Sequence, residues 1–146
     1  MFMGTYQHML DSKNRLIIPA KFRNQLGSGF VITKGNEHSL HAYSQAGWET
    51  YQSKLNQLPS NNAKVRQFKR IILAGATEVE FDKQGRIVLP NNLKEHALLQ
   101  KSITIIGYGD DEFEIWDTER FEQYNADVTD NFDDISNELA ELGFDI

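Results

Sequence analysis

The apolar positions of this chain run through the same cycle twice. In the first cycle an alternating stretch, Tyr6-Gln7-His8-Met9-Leu10, precedes an unbroken aliphatic run, Leu16-Ile17-Ile18. In the second, Glu78-Val79-Glu80-Phe81 precedes Ile87-Val88-Leu89. Alternation predicts a strand with one wet face, and a short continuous run predicts a strand buried on both faces. Each run ends in proline and passes into a short amphipathic helix, with Phe22 and Leu26 inward in one cycle and Leu93 and Ala97 in the other. A strand ending in glycine follows (Phe30 to Gly35; Ile103 to Gly107), then a polar turn and another strand (Leu40 to Tyr43; Phe113 to Trp116). Each cycle closes on a helix whose aromatics lie three apart, Trp48/Tyr51 and Phe121/Tyr124. One supersecondary unit is therefore written twice.

Beyond the short helices four longer ones are predicted, two of them the aromatic helices that close the cycles. Ser44 caps a helix that runs toward Leu58 and stops at Pro59, with Trp48, Tyr51, Leu55 and Leu58 on one stripe. After Ser60-Asn61-Asn62 comes a helix with Val65, Phe68 and Ile72 inward and Lys64, Arg66, Lys69 and Arg70 outward, ended by Gly75. Asp117 caps the helix of Phe121 and Tyr124. Beyond it Phe132, Ile135, Leu139 and Leu142 keep helical spacing among Asp130, Asp133, Asp134, Glu138 and Glu141. A short helix of this kind barely forms alone in water, so it needs its own body or a neighbouring subunit to lie on.

The tightest repeat sits at a turn: Asp11-Ser12-Lys13-Asn14-Arg15 before the first aliphatic run and Pro19, Asp82-Lys83-Gln84-Gly85-Arg86 before the second and Pro90. Asn14 and Gly85 fill one slot, and these two residue types best tolerate positive φ. Arg15 and Arg86 thus leave a hairpin tip as the strand begins, and Pro19 and Pro90 suit the first position of a helix. A guanidinium is a planar fork that grips a phosphate or a guanine edge, and a hairpin can enter a groove. An aspartate four residues earlier either aims the arginine or simply closes the turn. Exposed pairs of this kind are common and weakly stabilising, so the residues alone leave both roles open.

Charge sharpens the picture. The net charge of −6 hides +7 over residues 1–76 and −13 over residues 77–146, with the acid concentrated after Gly109. That asymmetry suggests an anion-binding body with an acidic tail, although a merely solubilising tail is the plainer account. The basic helix of Lys64 to Arg70 is a phosphate-facing rim, a solvated face or a partner for that tail. Chemistry is otherwise sparse. Without cysteine there is no disulfide or thiolate site, and His8, His38, His41 and His96 make no metal pattern. His38 and His41 read as surface residues. Gly107-Tyr108-Gly109 lacks the rest of a phosphate loop, Asp110-Asp111-Glu112 reads as a polar turn, and Trp48 and Trp116 read as packing. No enzyme, cofactor or metal is expected. No apolar run approaches the ~20 residues of a membrane span, and Met1 to Tyr6 lack a signal pattern, so a soluble cytoplasmic protein without a membrane partner is expected. A unit of about 45 residues is marginal alone, so the two copies should interlock.

Taken together, Met1-Phe2-Met3-Gly4, the first motif with Pro19-Ala20-Lys21-Phe22-Arg23, Trp48, Gly75-Ala76, Asp82 to Arg86, Ile105-Ile106-Gly107 and Glu114-Ile115-Trp116-Asp117 resemble the MraZ family of bacterial transcriptional regulators. More distantly, each unit resembles the swapped-hairpin DNA-binding domain named after AbrB and SpoVT. The resemblance implies an α+β fold, a swapped-hairpin β-barrel of two tandem units forming an internal pseudo-dimer with flanking helices. The expected division is a first unit over 5–47, linking helices over 48–75, a second unit over 76–119 and an acidic helix and tail over 120–146. The family implies double-stranded DNA as partner, at direct repeats in the promoter of its own cell-division and cell-wall cluster. It also implies a nucleoid-associated homo-oligomer, a closed ring of about eight subunits. Carried over residue by residue, DNA contact falls to Arg15 and Arg86, with Lys13, Lys83, Lys21, Arg23 and Lys94. Asp11, Asn14, Pro19, Asp82, Gly85 and Pro90 shape the motif. Asn14 replaces the family's usual glycine, and Asn91-Asn92 makes the second copy less basic than the first. The alternative class is a scaffold or antitoxin-like module whose acidic tail engages a protein.

Overall fold

The alternating segments form β1 (Thr5–Met9) and β5 (Thr77–Glu80), and the aliphatic runs form β2 (Arg15–Ile17) and β6 (Arg86–Val88). The structure, a computed structural model, describes residues 1–146. The short helices are α1 (Ala20–Leu26) and α4 (Asn91–His96), and the later strands are β3 (Gly29–Lys34), β4 (Leu40–Tyr43), β7 (Ser102–Gly107) and β8 (Glu112–Asp117). The longer helices are α2 (Gln45–Gln57), α3 (Ala63–Gly75), α5 (Thr118–Asp130) and α6 (Phe132–Glu141). As predicted, Ser44 and Asp117 supply side-chain caps to α2 and α5, and Asn62 caps α3.

Strand exchange answers the size problem. Every strand of the first half pairs antiparallel with one of the second: β1 with β7, β2 with β6, β3 with β5 and β4 with β8. Six strands form one sheet in the order β1-β7-β8-β4-β3-β5, and β2–β6 is a separate ribbon. The edge strands β1 and β5 do not pair with each other; β2 lies beside β1 and β6 beside β5. The main core, of 20 buried residues, draws on both halves, among them Leu16, Phe22 and Phe30 with Ile87, Leu93 and Phe113, and a second cluster of five includes Trp48, Leu55 and Ile72. Gly29 lets two halves approach: a β-carbon there would stand 2.1 Å from the Val79 carbonyl oxygen across the β3–β5 pairing.

Three expectations need correction. Ile17 and Val88 are not buried; they are 42% and 58% exposed, while Leu16, Ile18, Ile87 and Leu89 are buried. The ribbon has one covered face, so its residues alternate. Pro19 and Pro90 stand at the cap, one residue before the helix, where their carbonyls accept the first helical hydrogen bonds. On α3 only Ile72 of the predicted stripe is buried, held where the Thr33 hydroxyl donates to its carbonyl at 2.6 Å. Phe68 remains 41% exposed because this helix leans on the sheet mainly through β3.

His41 is also not the surface residue expected. It faces Glu114 directly across β4–β8, with Nε2 2.9 Å from that carboxylate and Nδ1 3.4 Å from Glu112. Burial disfavours the imidazolium, but the hydrogen bonds and charges of Glu112 and Glu114 outweigh it and raise His41 to about 9. Burial would raise Glu114, yet hydrogen bonds from His41 and Trp116 leave it lowered. A raised histidine stabilises the fold fully below its ordinary 6.5 and loses that contribution as pH climbs through about 9. A lowered carboxylate contributes above its ordinary 4.5 and loses it in acid. The melting temperature should therefore fall between pH 6.5 and 9.5, and Glu114→Gln should flatten that slope in a calorimetric pH series. An equally steep slope in the variant would remove His41 as its cause.

Candidate nucleic-acid interface

The two turns have the same construction, atom for atom. Asp11 Oδ1 accepts from the backbone N–H of Lys13 at 2.9 Å and of Arg15 at 2.8 Å, and Asp82 Oδ1 accepts from Gln84 and Arg86 at 2.9 Å each. The second carboxylate oxygen takes the arginine Nε, at 2.6 Å for Arg15 and 2.8 Å for Arg86. Asn14 and Gly85 adopt φ of 59° and 76°, the left-handed conformation expected of that slot. The backbone N–H of Arg15 and of Arg86, then the guanidinium, hold Asp11 and Asp82 below the ordinary carboxylate range. Each aspartate thus closes its turn and also fixes its arginine. The two roles left open by the sequence are both filled.

The halves then cross. The backbone N–H of Ile18 donates to the Gly85 carbonyl at 3.2 Å, and that of Leu89 donates to the Asn14 carbonyl at 2.8 Å. Within the ribbon Arg15 opposes Val88 and Ile17 opposes Arg86. These four side chains share the face away from the core, since Leu16 and Ile87 between them are buried. The arginines sit diagonally, a placement that spaces such neighbours by ~7–8 Å, within reach of long side chains. Each is about three-quarters to two-thirds covered, with side-chain exposures of 31% for Arg15 and 25% for Arg86. Their Nη atoms make no hydrogen bond within the chain and are not buried. An aimed guanidinium with a free outer fork is the result.

Other basic residues surround this face unequally. Lys13, Lys83 and Lys21 are exposed. Arg23 and Lys94 are half-buried and each reaches over the other copy's turn. The Arg23 guanidinium bonds the Ile18 carbonyl and lies where a β-carbon of Gly85 would fall, 2.6 Å from its Cζ. Lys94 Nζ donates to Asn14 Oδ1 at 3.0 Å, and Asn14 Nδ2 donates to Asn91 Oδ1 at 3.1 Å. Both basic residues brace the turns, which their placement after the proline did not suggest. His8 on β1 is lowered by burial and by the Arg23 charge. Sequence reasoning missed Ile17 and Val88 as members of the face; strict period-two reading of the three-residue strands would have placed them there.

No three His, Asp or Glu side chains are placed to hold a metal, and no helix is long and apolar enough to cross a membrane. An open cavity of about 460 Å³ lies against β4 and α2 among His41, Tyr43, Tyr51, Tyr108 and Glu112, and contains none of the expected site residues.

Comparison with known proteins agrees with the duplication. The family model described as "MraZ protein, putative antitoxin-like" matches twice, over residues 1–71 and 72–143. The chain is 56% identical over 142 residues to a protein of Leuconostoc mesenteroides named transcriptional regulator MraZ, covering 97% of this chain and 99% of that one. It is 54% identical to the protein of the same name from Oenococcus oeni, with the same coverage, and 48% identical to that of Alkaliphilus oremlandii over 98% and 99%.

Proposed function

Because the chain belongs to the MraZ family, we propose that it is a transcriptional regulator that binds double-stranded DNA through the outer face of the β2–β6 ribbon. Its targets are direct repeats in the promoter of its own cell-division and cell-wall gene cluster, and it works in the cytoplasm on the nucleoid as a ring of about eight subunits. The units over 5–47 and 76–119 act as two halves of one swapped-hairpin barrel, joined by 48–75 and followed by the acidic 120–146.

The observation that carries this reading is the pair of guanidiniums on one face, each held at Nε by its aspartate and open at both Nη atoms. Such forks match guanine O6 and N7 or a phosphate. Ile17 and Val88 between them offer apolar contact to thymine methyls, so the patch can discriminate bases rather than only charge. Lys13, Lys83 and Lys21 neutralise flanking phosphates, while Arg23 and Lys94 hold the turns rigid. Few contacts come from one subunit, and repeated subunits on repeated sites multiply them through avidity.

Fluorescence anisotropy with the chain's own upstream DNA and a shuffled control, at graded salt, tests the proposal. Binding should prefer the native fragment, and log affinity should fall by ~0.9 per phosphate contact per log unit of salt. No binding at any salt would discard it and favour the scaffold or antitoxin-like alternative.

A further inference from the structure

Whereas α5 packs its Phe121 and Tyr124 on Trp116, the last helix, the C-terminal arm α6, has no such surface to lie on. After Thr118 no residue is buried, and α6 contributes none to any core. Its apolar stripe is bare: Phe132 is 68% exposed, Ile135 37% and Leu142 73%, with Leu139 half-buried. A ten-residue helix is ~15 Å long and does not hold together in water on propensity alone. The flanks of the stripe are strongly acidic, for after Arg120 the chain has eight Asp/Glu and no Lys or Arg.

Elsewhere the body has a surface of the opposite kind. Between α2 and α3 runs an apolar groove of about 350 Å³ floored by Tyr51, Leu55, Leu58, Val65 and Phe68. Leu58 and Phe68 are 40% and 41% exposed there. Lys54 and Lys64 stand on its rim, and α3 carries Arg66, Lys69 and Arg70 with no acidic residue at all. An apolar trough with basic edges fits an amphipathic helix with acidic edges, the helix-in-groove mode of recognition. Each element alone leaves apolar area in water, and each supplies what the other lacks in shape and sign.

We infer that α6 of one copy docks into the α2–α3 groove of a second copy, with its acidic flanks against Lys54, Lys64 and the basic side of α3. The contact joins two different surfaces, so it is head-to-tail, and contacts of that type build closed rings or open chains rather than two-fold dimers. It assigns the basic helix to assembly instead of to DNA. The contact rests on the oligomeric part of the function proposed above, and its test uses no DNA, so DNA binding by the ribbon stands or falls separately.

Sedimentation velocity of the full chain and two variants decides it. Phe68→Glu spoils the groove, and Phe132→Lys with Ile135→Lys spoils the arm; all three positions are exposed, so circular dichroism should remain native. The unaltered chain should sediment as a multi-subunit species and each variant alone as a monomer. Mixed one to one, the variants should form a heterodimer, since the groove variant keeps a sound arm and the arm variant a sound groove. Variants that assemble like the unaltered chain would overturn the contact while leaving oligomerisation in place. A mixture that stays monomeric would show that the two surfaces are not mates. An unaltered chain that is monomeric at every concentration would remove both the contact and the ring.

Discussion

Replacing Arg15 and Arg86 together by alanine should weaken binding to the chain's own upstream DNA by ~2–6 kcal/mol, taking ~1–3 for each arginine. The range is wide because the two share one patch, and neighbours on one patch do not contribute additively. The fold should survive. Asp11 and Asp82 keep their backbone hydrogen bonds to residues two and four ahead, so the turns remain closed without either guanidinium. Lysine at both positions separates the two contributions of an arginine. It restores charge and hence the salt slope, but a point charge cannot reproduce the fork, so preference for the native fragment over the shuffled one should stay lost. Unchanged affinity of the alanine variant, with a native circular dichroism spectrum, would end the reading of this face as a DNA contact.

Local chemistry made the turns legible before any coordinates. A positive-φ residue between aspartate and arginine, written twice, is a backbone instruction, and Asn14 and Gly85 obey it. Element positions followed from periodicity for the same reason. Partner choice did not, because a period reports which face a residue occupies and never which strand lies beside it. The size of the unit required the halves to interlock, yet only the register reveals that β2 finds its mate in β6 and that Ile17 and Val88 therefore face outward with the arginines. His41 was misread for a related reason. Its carboxylate partners lie some seventy residues away and meet it only through the β4–β8 pairing. Phe2 carried no periodic signal, yet it is buried against Phe22 and Phe113 with ring centroids 5.0 and 5.3 Å away.

Phe113→Ala should be the most damaging single truncation, costing ~3–5 kcal/mol, the usual range for a buried aromatic cut to a methyl. Phe113 is fully buried and its ring lies 5.2–5.3 Å from those of Phe2, Phe22 and Phe30. It enters from β8 in the second half, whereas its three neighbours belong to the first, so the cavity opens at the seam between copies. Domains of this size are stable by about 5–15 kcal/mol, and the loss is a large share of that. The seam also dictates how the loss appears. Trp48 packs in the first half and Trp116 in the second, so Trp48→Phe and Trp116→Phe backgrounds give one fluorescence probe for each. Because the main core is shared by both halves and the Trp48 cluster sits on the same sheet, Phe113→Ala should shift both urea transitions together and leave them coincident. Met3→Ala, at an exposed position outside every proposed contact, should shift neither by more than ~0.5 kcal/mol. If the Trp116 signal moved to lower urea while the Trp48 signal stayed, the halves would unfold separately and the exchanged strands would not be what holds them.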